Sequence, residues 1–162
     1  MSKDYISPSD DIKTLLDFYK DNVAYQRHHE EIRFKSSQLI VTLAAALIAA
    51  LKFTSNSATA NFAISIFVIL LGFLGIAQVI KHTERADRHA MIARAYRKRV
   101  DEVSSEVGGS SIEEIHDSAA AIHKNRAGMS YSLRARWLWL AMHAAIVVVG
   151  VTLSILSYYH MI

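Results

Sequence analysis

Three long stretches of this chain carry no formal charge, and they restrict its fold more than any other feature. They are residues 36–51, 53–80 and 137–162, which contain 16, 28 and 26 residues. A helix needs about 20 mainly apolar residues to cross a bilayer. The first stretch is short, but Lys35 and Lys52 at its borders have long side chains whose charged ends reach toward the headgroups. We therefore expect three transmembrane helices.

A secretory signal and a soluble helical protein fit the apolar stretches less well. A secretory signal is disfavoured because the first stretch begins only at about residue 36, behind a polar arm, and no small-residue cleavage site precedes polar sequence. A soluble helical protein would have to bury all three stretches on every face, and a chain of 162 residues leaves too little protein to cover them. The absence of cysteine excludes disulfide and thiolate chemistry.

The charged residues predict an orientation in the membrane. Seventeen of the 18 Lys and Arg residues, and all 15 Asp and Glu residues, lie in residues 1–35 or 81–136. Positively charged loops stay on the cytoplasmic side. We therefore expect the N-terminus and residues 81–136 in the cytoplasm and the C-terminus outside.

The predicted fold class is all-α, an integral membrane protein with three transmembrane helices and a helical cytoplasmic bundle. Its predicted segments, in chain order, are a cytoplasmic N-terminal amphipathic helix (1–35), transmembrane helix 1 (36–53), a short external loop (54–60), transmembrane helix 2 (61–80), a cytoplasmic helical region (81–136), transmembrane helix 3 (137–159) and an external tail (160–162).

Helix signals subdivide the N-terminal part. Ser9 is the predicted N-cap of a helix, or of two abutting helices, over residues 10–53. An apolar stripe follows at helical spacing, formed by Ile12, Leu15, Leu16, Tyr19 and Val23.

The second span is expected to continue as a helix to about Val107. Its apolar positions recur at intervals of three and four: Ala86, Ala90, Ala93, Tyr96, Val100, Val103 and Val107. This stripe needs a partner, which is the N-terminal arm, the next helix or another subunit. After the glycines at 108–109, Ser111 and Glu114 match a capping box that opens a further helix.

The sequence contains no recognisable catalytic motif. It lacks a phosphate-binding Gly-rich loop, a Gly-x-Ser-x-Gly sequence and a His-Glu-x-x-His sequence, so we expect neither an enzyme nor a bound cofactor. The run "HHEE" at 28–31 is the best metal-like cluster, yet adjacent residues on a helix point about 100° apart, which favours a solvated helix face over a metal site. His143 lies within the third span, where it is either a helix contact or an interfacial residue.

Basic residues beyond the second span form the candidate ligand site. A continuing helix would place the later ones ~20–28 Å beyond Lys81, farther than lipid headgroups require. The candidate ligand-binding residues are Arg88, Arg94, Arg97, Lys98, Arg99, Lys124 and Arg126. Arginine and lysine clusters bind phosphate groups. Contact with anionic lipid, or pairing with nearby acids, is the alternative role for these residues.

Three segments of the chain are distinctive: "AYQRHHEEIRFKSSQLIVTLAAALIAAL", "LLGFLG" and the helix "ERADRHAMIARAYRKRVDEV". Together they resemble SLATT-type membrane effectors of bacterial antiphage defence. With its third span the chain looks more like the membrane subunit of Hailong-type systems or a related three-span family. The resemblance covers residues 20–107 approximately.

The resemblance implies a homo-oligomeric ion channel, with a tetramer favoured. A nucleotide or oligonucleotide from a neighbouring nucleotidyltransferase would gate the pore and depolarise the infected cell. Binding of duplex DNA is not expected. Two other classes stay open: a structural membrane adaptor that anchors a soluble partner, and a transporter subunit, for which broken spans or ionisable groups near the midplane would be expected.

Overall fold

The computed structural model describes residues 8–54, 57–106, 111, 114, 116–118, 120–121 and 135–159. They form three long helices: α1 (Pro8–Ala50), α2 (Ala58–Glu106) and α3 (Ala135–Tyr159). No β-strand occurs in this described part of the chain, which confirms the all-α prediction.

All three helices are long and apolar enough to cross a membrane. The buried share of the apolar window is 17% in α1, 28% in α2 and 11% in α3. Most of these apolar positions are therefore uncovered within one chain. A helix that is apolar on nearly every side needs a lipid or protein environment around it, so the coarse prediction of three candidate membrane helices is confirmed.

α1 is one uninterrupted helix rather than two abutting ones. It begins at Pro8, so Ser9 lies inside the first turn and the prediction of Ser9 as the N-cap is wrong. Proline is favourable at the first helical position because its φ angle is preset and its missing N–H has no acceptor within the helix. A 3₁₀ turn (Leu51–Phe53) ends this segment. Ser57 then caps α2, since its Oγ accepts a hydrogen bond from the N–H of Ala60 at 3.3 Å.

The chain divides into two compact units, which we describe separately. The charged unit comprises residues 1–29 and 84–132, and the apolar unit comprises residues 30–83 and 133–162. α1 and α2 each contribute residues to both units.

In the charged unit, the two predicted apolar stripes meet. Ala86, Ala93 and Val100 of α2 are buried. The rings of Phe18 on α1 and Tyr96 on α2 stack with centroids 5.4 Å apart. The N-terminal arm is therefore the partner of the α2 stripe. α2 is described to Glu106, and the predicted end at Val107 lies outside the described residues.

The capping box predicted for the next helix is supported by one hydrogen bond. The Oγ of Ser111 accepts from the N–H of Glu114 at 3.2 Å, which satisfies one of the donors that a helix start leaves open.

In the apolar unit, glycines bring α2 and α3 close together. A Cβ atom on Gly72 would lie 2.5 Å from Val147 Cγ2, and one on Gly75 would meet the ring of His143. From α3, a Cβ on Gly150 would lie 2.9 Å from the backbone nitrogen of Ile69. Only a residue without a side chain permits this approach, as is typical of packed membrane helices.

Candidate functional site

The structure distributes the predicted ligand residues over different places in the charged unit. Arg94 and Arg97 line one groove and Arg88 lines another. Lys98 and Arg99 are exposed and line neither of these two grooves. The remaining two predicted residues, Lys124 and Arg126, lie outside the described residues.

The first groove, which we call the Arg97 groove, has a volume of about 290 Å³. Its lining comes from α1, from α2 and from the segment after the Ser111 cap: Tyr19, Val23, Gln26, Ala90, Ala93, Arg94, Arg97 and His116. Small alanine side chains on α2 leave space against α1, and the two arginines follow at one and four positions after Ala93. The helical repeat of 3.6 residues places all four α2 residues on one flank of the buried stripe.

Arg97 leaves a hydrogen-bond donor without an acceptor in this groove. Its Nε atom is buried and has no hydrogen-bond partner among the residues that the structure describes. Arg94 directs its Nε to the carbonyl oxygen of Ala90 at 3.3 Å, within its own helix. Within the described ranges, neither arginine forms an ion pair. A buried donor without an acceptor costs about 1–3 kcal/mol.

The second groove, the His29 groove, has a volume of about 430 Å³. It is lined by His29 from α1 and by Arg85, Arg88, His89 and Ile92 from α2. These α2 residues lie on the opposite flank of the buried stripe from Arg94 and Arg97, by the same helical repeat.

Three rings pack in series beside the His29 groove. The His89 ring stacks on Tyr25 with centroids 5.2 Å apart and on His29 with centroids 5.5 Å apart. The Nδ1 atom of His89 also lies 3.0 Å from Oδ1 of Asn22. These contacts place His89 between α1 and α2.

The pKa of His29 is lowered from its ordinary value. Partial burial is the largest cause, followed by the positive charge that His89, Arg85 and His28 place near the ring. Each cause disfavours the protonated imidazole. His29 is therefore mainly neutral near pH 7.

The other candidate positions have structural partners. Arg99 pairs with Glu102 at 2.8 Å, with both side chains largely exposed. In the "HHEE" run, Glu31 pairs with Lys35 at 2.6 Å. No group of three or more His, Asp or Glu residues in the described part of the chain is placed to hold a metal ion.

His143 is a helix contact in the apolar unit. It is fully buried, and its Nε2 lies 3.1 Å from Oγ of Ser37, which is also buried. Its Nδ1 is buried and has no hydrogen-bond partner among the described residues. Of the two alternatives left by the sequence, the structure supports the helix contact.

Sequence reasoning missed the contribution of α1 and of His116 to the two grooves. Gln26 and His29 follow the apolar stripe of α1 at helical spacing, which was the available signal for their position. His116 had no such signal, because its approach to Arg97 depends on how the chain turns after α2.

Comparison of the chain with family models, curated proteins and solved structures found no match.

Proposed function

We propose that this chain is a membrane effector that binds a nucleotide or oligonucleotide in the Arg97 groove and opens a homo-oligomeric pore. The observation that carries the proposal is the groove that Arg94, Arg97 and His116 line together. The Nε of Arg97 is buried and has no acceptor among the described residues. Three helices suited to a membrane supply the second requirement of a pore-forming effector.

The chemistry of the groove favours a phosphate-bearing ligand. A guanidinium group donates several hydrogen bonds in a plane and matches two phosphate oxygens at once. The lining contains two arginines and one histidine and no carboxylate, although the ring of His116 lies 3.3 Å from the carboxylate of its neighbour Asp117. The volume of about 290 Å³ is close to the lower limit for small-molecule pockets, about 300 Å³. One groove therefore suits a single nucleotide, and an oligonucleotide would occupy grooves of several subunits.

The exposed faces of the membrane helices support assembly. Three helices cannot enclose a channel within one chain, so a pore requires several copies around an axis. Ala45 and Ala49 on α1 are exposed or half-buried and lie one turn apart, which permits close approach of another helix. Because α1 and α2 contribute to both units, a ligand in the charged unit would act on helices that also build the apolar unit.

The proposed orientation rests on the charge pattern, and the proposed cellular setting rests on the resemblance to SLATT-type effectors. The N-terminus and residues 81–136 face the cytoplasm, where a neighbouring nucleotidyltransferase supplies the ligand, and the C-terminus is external. Pore opening depolarises the inner membrane and halts phage replication.

The test compares the groove variant R94Q/R97Q with a control that removes two exposed charges, R27Q/K98Q. Arg27 and Lys98 line neither groove. Cells expressing each form with its genomic neighbour are challenged with phage, and a voltage-sensitive dye reports membrane potential at equal membrane abundance. We expect depolarisation in the wild type and the control and none in R94Q/R97Q, since each lost charge-assisted hydrogen bond costs about 1.5–3 kcal/mol.

Two outcomes would contradict the proposal. Equal depolarisation in all three forms would show that the Arg97 groove does not gate the response. No depolarisation in any form, the wild type included, would reject the pore and favour the structural membrane adaptor. Purified protein in lipid nanodiscs, titrated with inorganic tripolyphosphate by calorimetry, measures groove binding separately from conductance.

A further inference from the structure

The His29 groove contains a concentration of positive charge that the proposed nucleotide site does not use. Arg85 and Arg88 line it, and neither forms an ion pair within the described parts of the chain. No carboxylate belongs to its described lining. The charged groups that lower the pKa of His29 are His28 from α1 and Arg85 and His89 from α2, and Arg88 lines the same groove. Along α1, Glu30 and Arg33 are the further ionisable residues next to His29 in sequence and one turn beyond it.

The hydrogen bonds of Asn22 determine which nitrogen of His89 carries a proton. The Nδ2 of Asn22 donates to the carbonyl oxygen of Phe18 at 2.9 Å. Its amide oxygen, Oδ1, is therefore the atom that faces His89 Nδ1 at 3.0 Å. An amide oxygen only accepts hydrogen bonds, so Nδ1 of His89 is the donor.

This tautomer controls what His89 offers to a ligand. In the neutral ring, Nδ1 carries the proton and Nε2 has only a lone pair, which repels an anion. When the ring takes up a second proton, Nε2 becomes a donor and the ring becomes a cation. The same change at His29 is opposed by its partial burial and by the neighbouring positive charges.

We propose that the His29 groove is a second anion site, which binds a phosphate-type dianion together with a proton. Arg85 and Arg88 supply permanent positive charge, and His29 supplies a further donor by taking up a proton from solvent. The bound dianion favours this protonation by opposing the repulsion among the four basic groups. The site does not rest on the nucleotide-gated pore, because it uses different residues on the other flank of α2.

Anion binding and protonation of His29 favour each other, so the pH dependence of binding has a definite sign. Anion binding raises the pKa of His29 back toward or above its ordinary value, so the affinity for the dianion is greatest in mildly acidic solution. The affinity falls as the pH rises through the pKa of the occupied state. If anion binding raises the pKa of His29 by one unit, the affinity well below both pKa values is about ten times the affinity well above both.

The same chemistry fits a soluble phosphate compound and the phosphate of an anionic lipid headgroup. The experiment therefore uses the full chain, labelled with ¹⁵N at histidine, in nanodiscs of zwitterionic lipid and in nanodiscs that contain phosphatidate. Sulfate is the soluble probe, because its charge stays constant over the range in which histidine titrates and the pH dependence then belongs to the protein. The NMR signals of the His29 ring are followed against pH with and without sulfate.

We expect sulfate, phosphatidate or both to move the midpoint of the His29 titration upward by about one unit. The response should disappear in R85Q/R88Q and persist in R27Q/K98Q. In R85Q/R88Q without anion, the His29 midpoint should itself rise, since Arg85 is one of the charges that lower it. Because unfolding would raise the midpoint as well, the helical content of the variant is checked separately by far-ultraviolet circular dichroism. A response to sulfate alone identifies a soluble ligand, and a response to phosphatidate alone identifies a lipid.

A wild-type midpoint that neither anion moves would overturn the proposal. So would an equal response in R85Q/R88Q, because binding would then not involve the two arginines. A response lost equally in R27Q/K98Q would show that only the net charge of the unit matters. Calorimetry in two buffers of different ionisation heat provides a second readout, since a site without proton uptake gives the same binding heat in both.

Discussion

Replacement of Gly75 by alanine should destabilise the apolar unit, although alanine is ordinarily the better helix former. In a helix interior the change from glycine to alanine is favourable by about 0.8–1 kcal/mol. A Cβ at this position would lie 2.5 Å from both Cγ and Cε1 of the His143 ring, and closer still to Nδ1. His143 is fully buried, so its ring has no space into which to move without displacing α3.

The magnitude follows from two costs. Overpacking of a close-packed interior costs about 1–3 kcal/mol. Displacement of the ring also breaks the 3.1 Å contact between Nε2 of His143 and Oγ of Ser37, worth about 0.5–1.5 kcal/mol. After the gain in helix propensity is subtracted, Gly75→Ala should lower the free energy of unfolding by about 1–3 kcal/mol.

The assay is reversible unfolding in mixed micelles by titration with a denaturing detergent, followed by far-ultraviolet circular dichroism. Ala77→Val is the control, because Ala77 is exposed and lies two residues away on the same helix. Removal of the obstructing ring by His143→Ala should make a subsequent Gly75→Ala neutral or favourable. The reasoning is refuted if Gly75→Ala is neutral in the wild-type background, or if the two substitutions are additive, since residues in contact should couple by about 0.5–3 kcal/mol.

Two further predictions concern the membrane arrangement. The chain has no native cysteine, so single cysteines at the exposed positions Ser57 and Ser105 report topology. A membrane-impermeant thiol reagent should label only Ser57→Cys in intact spheroplasts. Labelling of Ser105→Cys instead would reverse the predicted orientation. The uncovered apolar windows of the three helices predict a homo-oligomer, most simply a tetramer. Native mass spectrometry from mild detergent measures the number of subunits. A monomer in every detergent would contradict the proposed pore.

The elements that depend on local sequence were predictable. Charge-free stretches and apolar periodicity indicated the three helices, the continuation of α2 beyond its apolar part and the stripe centred on Ala93. These properties arise from neighbours three or four positions apart, which the sequence displays directly. The N-cap at Ser9 was misplaced by the same local reasoning, because Pro8 is compatible with the first helical turn and the helix begins there.

The binding geometry required the tertiary structure. Five residues of the candidate basic set lie on α2, and the helical repeat already places Arg94 and Arg97 on the other flank from Arg88. Which of the five line a groove is decided by the packing of α1 and the position of His116, which leave Lys98 and Arg99 outside both grooves. In the apolar unit, the sequence contained both Gly75 and His143 without indicating that they meet. Composition and periodicity determine which face of a helix is buried, whereas the identity of the neighbour depends on contacts between residues far apart in the chain, which no local pattern records.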